Sequence, residues 1–158
     1  MKKYFVAVFT IVLLVTLGCA DNTAKNNPSS TDVTWVENLE EGIKIAKDEN
    51  KNILVNFTGS DWCIWCKRLS GEVFTQKTFK EYAKENLVLV KLDFPKSNPL
   101  PQEQQMYNNN LARQFGVQGF PTIILLDDEG KFVGKTGYQR GGPEQYIKHI
   151  NQYFAAGS

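Results

Sequence analysis

The chain has 158 residues, a length that suits one domain with a buried core and leaves little for a second. Its 18 lysine and arginine residues nearly balance 17 aspartate and glutamate residues, for a formal net charge of +1. This balance gives no indication of the strongly basic surface of a nucleic-acid-binding protein or of an acidic interaction tail.

The first residues have the pattern of a secretory signal. Lys2 and Lys3 form a positively charged start, and an uncharged, mostly apolar run over 4–17 follows them. This run is shorter than the ~20 residues of a membrane-spanning helix. As a buried helix of the mature fold it would have to be apolar on every face. The sequence therefore predicts export.

Gly18-Cys19 closes the apolar run and resembles the lipobox of bacterial lipoproteins. In that family the cysteine is acylated and becomes the first residue of the mature protein. Thr16 stands where the family usually has leucine, and cleavage after Ala20 into a soluble exported protein is the alternative. We predict a lipoprotein-type signal peptide over 1–19, with Cys19 lipidated.

The remaining chain divides into a tether and a domain. Residues 20–32 are rich in Asn, Ser and Thr, which predicts a flexible tether, and the folded domain is expected over 33–156. Without 1–19 the chain carries 16 basic and 17 acidic side chains, a charge of −1. A lipid anchor, rather than charge, would then hold it at a membrane. The expected location is the bacterial periplasm or cell envelope.

The domain alternates between short apolar runs and amphipathic stretches, which predict strands and helices respectively. Three prolines exclude regular structure over 95–101, because proline lacks a backbone donor. The predicted elements, in chain order, are a helix over 38–50, a strand over 53–57, a helix from the cysteine motif to 69 that breaks near 70–71, a helix over 75–86, a strand over 87–94, a helix over 102–115, a hairpin of strands over 122–126 and 132–137, and a helix over 143–154. This order predicts an α/β fold in which a mixed sheet is covered by helices on both faces.

Cys63 and Cys66 lie at a predicted strand-to-helix junction, in the segment Trp62-Cys63-Ile64-Trp65-Cys66-Lys67. A two-residue gap in the first turn of a helix brings two sulfurs close enough to bond. Partial positive charge and free N–H groups at the helix start favour the thiolate of Cys63, which makes it the predicted nucleophile. Cys66, one turn further on, can attack the resulting mixed disulfide and release the partner.

Three other roles for these cysteines compete with redox chemistry. A structural disulfide across so short a loop would restrict the unfolded chain little. A zinc site needs about four ligands, and the domain adds only the distant His149, which is expected to be an ordinary polar helix residue. Two unreactive buried cysteines are the third alternative. We predict redox chemistry, with no metal and no cofactor.

The segment that holds the two cysteines and four further segments of the domain together resemble the thioredoxin superfamily, especially exported thioredoxin-like proteins with a W-C-x-W-C-K motif. A more distant resemblance is to the C-terminal domain of the disulfide reductase DsbD. The resemblance covers nearly all of the predicted domain and is carried by the segments 55–67, 92–95, 115–122, 126–131 and 137–144. It implies a thioredoxin fold, with a central mixed sheet and helices on both faces.

The resemblance also implies a role for Phe120-Pro121, which precedes the third predicted strand. In the family the matching proline has a cis peptide bond and packs beside the dithiol. The backbone at Phe120 would then pair with an extended substrate peptide, and the ring of Pro121 would shield the sulfurs. Judged without the family, Pro121 could equally be a trans loop proline.

The chain departs from the family at Asn56. Thioredoxins carry a buried aspartate there, thought to move the proton when the second cysteine is activated. Asparagine cannot ionise, so this role is empty unless Asp61, Glu72 or water fills it.

Residues around the motif are expected to support substrate binding. Trp62 is expected chiefly to pack in the core, whereas Trp65 should face solvent and form an apolar patch with Phe120 and Tyr138. Lys67 either helps to hold the nucleophile as a thiolate or is an ordinary solvated lysine.

The sequence therefore predicts a thiol–disulfide oxidoreductase that reduces or exchanges disulfides of exported proteins and receives electrons from an upstream donor. The direction of electron flow is not set by the residues between the cysteines, although a reductive or maturation role is favoured. The alternative is a non-enzymatic binding or copper-delivery module, because soft thiolates suit Cu(I) and Asn56 leaves the acid position empty.

Overall fold

The computed structural model of the chain describes residues 32–157. The predicted signal peptide, Cys19 and the predicted tether up to residue 31 lie outside the described residues. The elements, in chain order, are β1 (Trp35–Val36), α1 (Leu39–Glu49), β2 (Asn52–Thr58), α2 (Ile64–Leu69), a π-helical turn (Ser70–Phe74), α3 (Lys77–Asn86), β3 (Leu87–Asp93), α4 (Gln102–Gln114), β4 (Thr122–Leu126), β5 (Phe132–Thr136) and α5 (Gly142–Gly157).

Five strands within residues 32–157 form one mixed sheet in the order β1-β3-β2-β4-β5. The first three of these are parallel, whereas β4 is antiparallel to β2 and β5 is antiparallel to β4. The hydrophobic core has two parts, one on each face of this sheet. The predicted α/β arrangement, a mixed sheet with helices on both faces, is therefore confirmed.

Side-chain alternation along the central strand β2 divides the core. Ile53, Val55 and Phe57 point to the face that α1 and α4 cover, and Leu54 points to the face covered by the π-helical turn, α3 and α5. All four side chains are fully buried. A strand with neighbours on both edges and helices on both faces needs a nearly continuous apolar run, which is the pattern the sequence has there.

Two parts of the chain differ from the sequence-based expectation. The edge strand β1 was not predicted, because two half-buried residues are too few to show a strand period. The expected break near 70–71 is a π-helical turn, in which the N–H of Thr75 donates to the carbonyl of Ser70. This turn buries Val73 and Phe74 against the sheet, so the chain stays helical where a loop would leave them exposed.

Gly134 allows α5 to lie directly on β5. A Cβ atom at this position would lie 2.3 Å from Cδ1 of Tyr153, closer than any tolerated contact. We expect Gly134→Ala to lower the free energy of unfolding by about 1–3 kcal/mol, because the ring must move within a packed layer.

The matched control is Gly71→Ala, since a Cβ there meets no atom within 4 Å. Denaturant unfolding of both variants checks the prediction. Equal free energies of unfolding for Gly134→Ala and Gly71→Ala would show that the packing of α5 on β5 does not require glycine at position 134.

Candidate active site

Cys63 and Cys66 form a disulfide at the start of α2, with their Cα atoms 5.2 Å apart. Cys63 is the N-cap residue of this helix, and the backbone N–H of Cys66 donates to its Sγ atom at 3.2 Å. Only 6% of Cys63 and 5% of Cys66 is exposed. A sulfur that accepts a helix N–H is favoured as a thiolate after reduction, which fits the predicted role of Cys63 as nucleophile.

A tight turn delivers Cys63 from the end of β2 to the helix start. The backbone N–H groups of Trp62 and Cys63 both donate to the carbonyl of Gly59, at 3.3 and 2.9 Å. A Cβ atom on Gly59 would lie 2.5 Å from the Trp62 indole, so glycine is required where the ring crosses the chain. The ammonium of Lys67 donates to the carbonyl of Asp61 at 2.7 Å. This hydrogen bond of Lys67 thus stabilises the turn.

The loop that follows β3 holds this turn from the side. The Asp61 carboxylate accepts the backbone N–H groups of Lys96, at 3.0 Å, and Ser97, at 2.5 Å. The bond from Ser97 is the main cause that lowers the pKa of Asp61 from 3.8 to about 2. Asp61 is therefore an ionised anchor near neutral pH and does not supply the missing acid.

Trp62 was expected in the core, and this is wrong: 41% of it is exposed. Its indole Nε1 donates to the carbonyl of Phe94 at 2.8 Å, and its ring packs edge-on against Phe120. The Lys96 ammonium lies 4.0 Å above the same ring. An indole combines an apolar ring with a polar N–H, and here the N–H bonds a backbone carbonyl while the ring stays partly exposed.

Trp65 lies on the surface as expected, with 44% of it exposed. Its ring centroid is 5.4 Å from that of Tyr138, and the guanidinium of Arg68 lies 5.1 Å from its centre. The Tyr138 hydroxyl donates to Glu72 at 2.6 Å, and this bond raises the pKa of Tyr138. Glu72 therefore holds the edge of the aromatic surface.

Pro121 lies immediately before β4, and the Phe120–Pro121 peptide bond is cis. β4 is antiparallel to β2, with Thr122 paired to Phe57, so β4 begins where β2 ends. Pro121 consequently lies at the sheet edge from which the dithiol turn departs. The Thr122 hydroxyl donates to the carbonyl of Gly119 at 2.7 Å and holds the loop in place.

Asn56 lies behind the disulfide on β2, with 8% of it exposed. Its Oδ1 atom is buried without a hydrogen-bond partner. Asn56, Thr58 and Cys66 all line one cavity of about 460 Å³. The sequence showed that an acid is missing here, but only the packing shows an acceptor without a donor.

Other candidate ligands do not gather near the dithiol. His149 bonds the Thr136 hydroxyl at 2.8 Å and packs edge-on against Tyr153, so it is a polar helix residue as expected. Across the described residues 32–157 no group of three or more His, Cys, Asp or Glu side chains could hold a metal ion.

Several supporting residues were not found from the sequence. Phe94 and Lys96 contact Trp62 from the loop after β3, and Arg68 contacts Trp65 within α2. The contacts of Trp62 join distant segments and leave no local sequence signal, whereas the Arg68–Trp65 contact has the i,i+3 spacing of neighbours on one helix face.

Known proteins share this arrangement over most of the chain. The family described as a thioredoxin-like domain matches residues 39–154. A Chlamydia pneumoniae protein named disulfide bond reductase DsbH is 33% identical over 151 residues, covering 90% of this chain and 90% of that protein. The solved structure of a DsbH oxidoreductase has a TM-score of 0.72 at 32% identity, covering 85% of this chain and 94% of that chain.

A third similarity is to the thiol:disulfide interchange protein DsbD of Actinobacillus pleuropneumoniae. The two are 25% identical over 112 residues, which cover 69% of this chain and 17% of DsbD. This chain therefore matches one part of a much longer protein.

The anchor formed by Asp61 predicts an acid-sensitive contribution to stability. Its folded pKa of about 2 lies below the unfolded value of 3.8, so the stabilisation is present above pH 3.8 and is lost as the pH falls towards 2. We expect Asp61→Asn to melt at a lower temperature than the wild type at pH 7, and the difference to close near pH 2.

Asp128→Asn is the matched control, since no described residue hydrogen-bonds its carboxylate. Thermal melts of the three proteins between pH 2 and pH 7 check the prediction. A gap between Asp61→Asn and wild type that persists unchanged at pH 2 would contradict it.

Proposed function

Because this chain belongs to the thioredoxin-like domain family, we propose that it is an extracytoplasmic thiol–disulfide oxidoreductase that reduces disulfides of exported proteins. The observation that carries the proposal is the Cys63–Cys66 disulfide at the start of α2, with a helix N–H on the Cys63 sulfur. The reductive direction is supported by the similarity to a protein named disulfide bond reductase.

The reaction begins with the reduced dithiol. The Cys63 thiolate attacks one sulfur of a substrate disulfide, forms a mixed disulfide with it, and releases the other sulfur as a thiolate. Cys66 then loses its proton and attacks Cys63 Sγ. This step breaks the mixed disulfide, frees the second substrate thiolate and forms the Cys63–Cys66 disulfide. Two electrons have passed to the substrate, and an upstream dithiol donor must return two.

The surface around the dithiol suits a polypeptide substrate. Ile64 and Trp65 lie between the two cysteines and are 65% and 44% exposed, and the exposed ring of Trp62 precedes them. Exposed apolar side chains next to a reactive sulfur favour contact with extended or unfolded segments. We assign Trp62, Trp65, Phe120 and Pro121 to this contact surface, with Lys67 supporting the turn beneath it.

Location follows from the N-terminal segment. We propose that residues 1–19 direct export and that a lipid on Cys19 attaches the protein to a membrane of the periplasm or cell envelope. Among the described residues 32–157, no helix is long and apolar enough to cross a membrane. Residues 20–32 could extend to at most ~45 Å, so the start of the folded domain at residue 33 would lie within about that distance of the surface.

A copper-delivery or non-enzymatic binding module would use the same soft thiolates. Such a module would not form covalent intermediates with disulfide substrates. Trapping experiments therefore separate the two functions directly.

Substitution of each cysteine by serine should affect a different step of the reaction. Cys63→Ser should abolish reduction of a protein disulfide such as that of insulin, because the attacking sulfur is absent. Cys66→Ser should accumulate mixed disulfides, because attack can occur but release cannot. Non-reducing gels and turnover assays check both outcomes.

Cys19→Ser is the matched control and should keep full turnover, since this cysteine takes no part in the exchange. Full insulin reduction by Cys63→Ser would refute the oxidoreductase mechanism.

The proposed lipid on Cys19 predicts that Cys19→Ser changes the location of the protein without changing its thiol–disulfide chemistry. In a bacterial host that processes lipoproteins, the wild-type chain should incorporate labelled palmitate and fractionate with membranes, whereas Cys19→Ser should do neither. Two or more acyl chains, at roughly 0.8 kcal/mol per buried CH₂, make the wild-type attachment stable. An unlabelled wild-type protein beginning at Asp21 would instead indicate cleavage after Ala20.

A further inference from the structure

The unpartnered oxygen of Asn56 is an exception to a strong rule. Buried polar atoms nearly always have a hydrogen-bond partner, because leaving one unpaired after removal from water is costly. Asn56 Oδ1 is buried without one. Such an atom in a functional site suggests a donor that is present in another state of the protein.

The position of Asn56 on the strand indicates where this donor would come from. Asn56 is two residues after Leu54, so its side chain points to the face of β2 where Leu54 packs against the π-helical turn and its neighbours. Cys66 lies in the helix leading into that turn, and Asn56 and Cys66 line the same cavity.

The redox state decides whether Cys66 can donate. In the disulfide neither sulfur carries a hydrogen, so neither can bond an oxygen acceptor. Reduction creates an S–H group. Cys63 Sγ already accepts the N–H of Cys66, which favours the thiolate there and leaves the remaining thiol proton on Cys66.

The lysines of the same cavity have acceptors elsewhere. Lys67 donates to the Asp61 carbonyl, Lys80 pairs with Asp32 at 3.0 Å, and Lys91 lies 3.8 Å from a carboxylate oxygen of Glu37. Among the groups that line this cavity, the Cys66 thiol is a donor that forms only when the disulfide is reduced.

We propose that Asn56 is a positioning residue, and that its Oδ1 atom accepts the hydrogen bond of the Cys66 thiol when the disulfide is reduced. The inference rests on the proposed oxidoreductase function. An external dithiol supplies two electrons and becomes a disulfide. Of the protons it releases, one goes to Cys66, while Cys63 remains a thiolate.

The amide holds this proton in place but cannot take it up, because asparagine does not ionise. When Cys66 attacks the mixed disulfide, its proton must pass to the departing substrate thiolate or to water in the cavity. A carboxylate at the same position would add a negative charge near the Cys63 thiolate. The neutral amide accepts the hydrogen bond without that repulsion.

The first test is the thiol–disulfide equilibrium of the full chain with glutathione. Leucine is similar in shape to asparagine but has no hydrogen-bond acceptor. Asn56→Leu should therefore remove the unpaired oxygen from the oxidised form and the hydrogen bond with the Cys66 thiol from the reduced form. The equilibrium constant should move roughly three- to tenfold towards the disulfide. A tenfold shift corresponds to ~30 mV more negative potential.

Thr58→Val is the matched control, since Thr58 lies two residues along the same face of β2 and lines the same cavity. Its equilibrium constant should stay within twofold of the wild type. Equal constants for Asn56→Leu and the wild type would overturn the proposal, as would equal shifts for both variants.

A second test needs only the wild-type chain and holds even if Asn56→Leu does not fold. The side-chain carbonyl carbon of Asn56 should shift downfield in the NMR spectrum on reduction, as its oxygen gains a hydrogen bond. Asn108 is the internal reference, because its Oδ1 already accepts from Gln104 at 2.8 Å. An Asn56 signal that moves no more than that of Asn108 would refute the inference.

These results are separable from the function itself. If dithiothreitol and glutathione could not interconvert the two forms of the wild-type protein, the oxidoreductase proposal would fail first. If they interconvert and Asn56 responds as above, both proposals stand. If they interconvert and Asn56 does not respond, only the role of Asn56 is lost.

Discussion

The hydrogen bond from the backbone N–H of Cys66 to the sulfur of Cys63 is the interaction on which the site depends. It makes Cys63 the N-cap of α2, and so the sulfur that we propose as the nucleophile is also the group that begins the helix. The same bond distinguishes two chemically identical side chains. Cys63 lies where helix N–H groups favour negative charge, while Cys66 lies one turn inside with the cavity behind it.

This hydrogen bond requires that the turn before α2 is held in a fixed position. Two parts of the fold hold it: the strand β2 and the loop after β3. β2 is buried on both faces and carries the chain straight to the turn at Gly59. On one side the carboxylate of Asp61 and the indole of Trp62 bind backbone groups of the loop after β3. Hydrogen bonds to the loop after β3 therefore fix the turn that carries the two cysteines. The Trp62 ring is held by one of these bonds and remains partly exposed.

The central strands were predictable because each is a short apolar run whose neighbours are turn residues, as over 53–57 and 122–126. The edge strand β1 and the π-helical turn were missed for a different reason. Trp35–Val36 forms a strand only because β3 offers it an edge, and Ser70–Phe74 stays helical because Val73 and Phe74 find a place in the core. Trp62 was misplaced because its amphipathic ring suits a core and a surface equally well.

The dithiol could be predicted from neighbouring residues, because a two-residue gap between cysteines at a strand-to-helix junction is a local pattern. The residues that surround this pair could be identified only from the folded chain. Asp61 meets Ser97, Trp62 meets Phe94 and Asn56 shares a cavity with Cys66 because the parallel pairing of β2 with β3 and the packing of α2 on the sheet bring distant segments together. A contact between residues far apart in the chain leaves no period or spacing in either segment, so neither segment shows it.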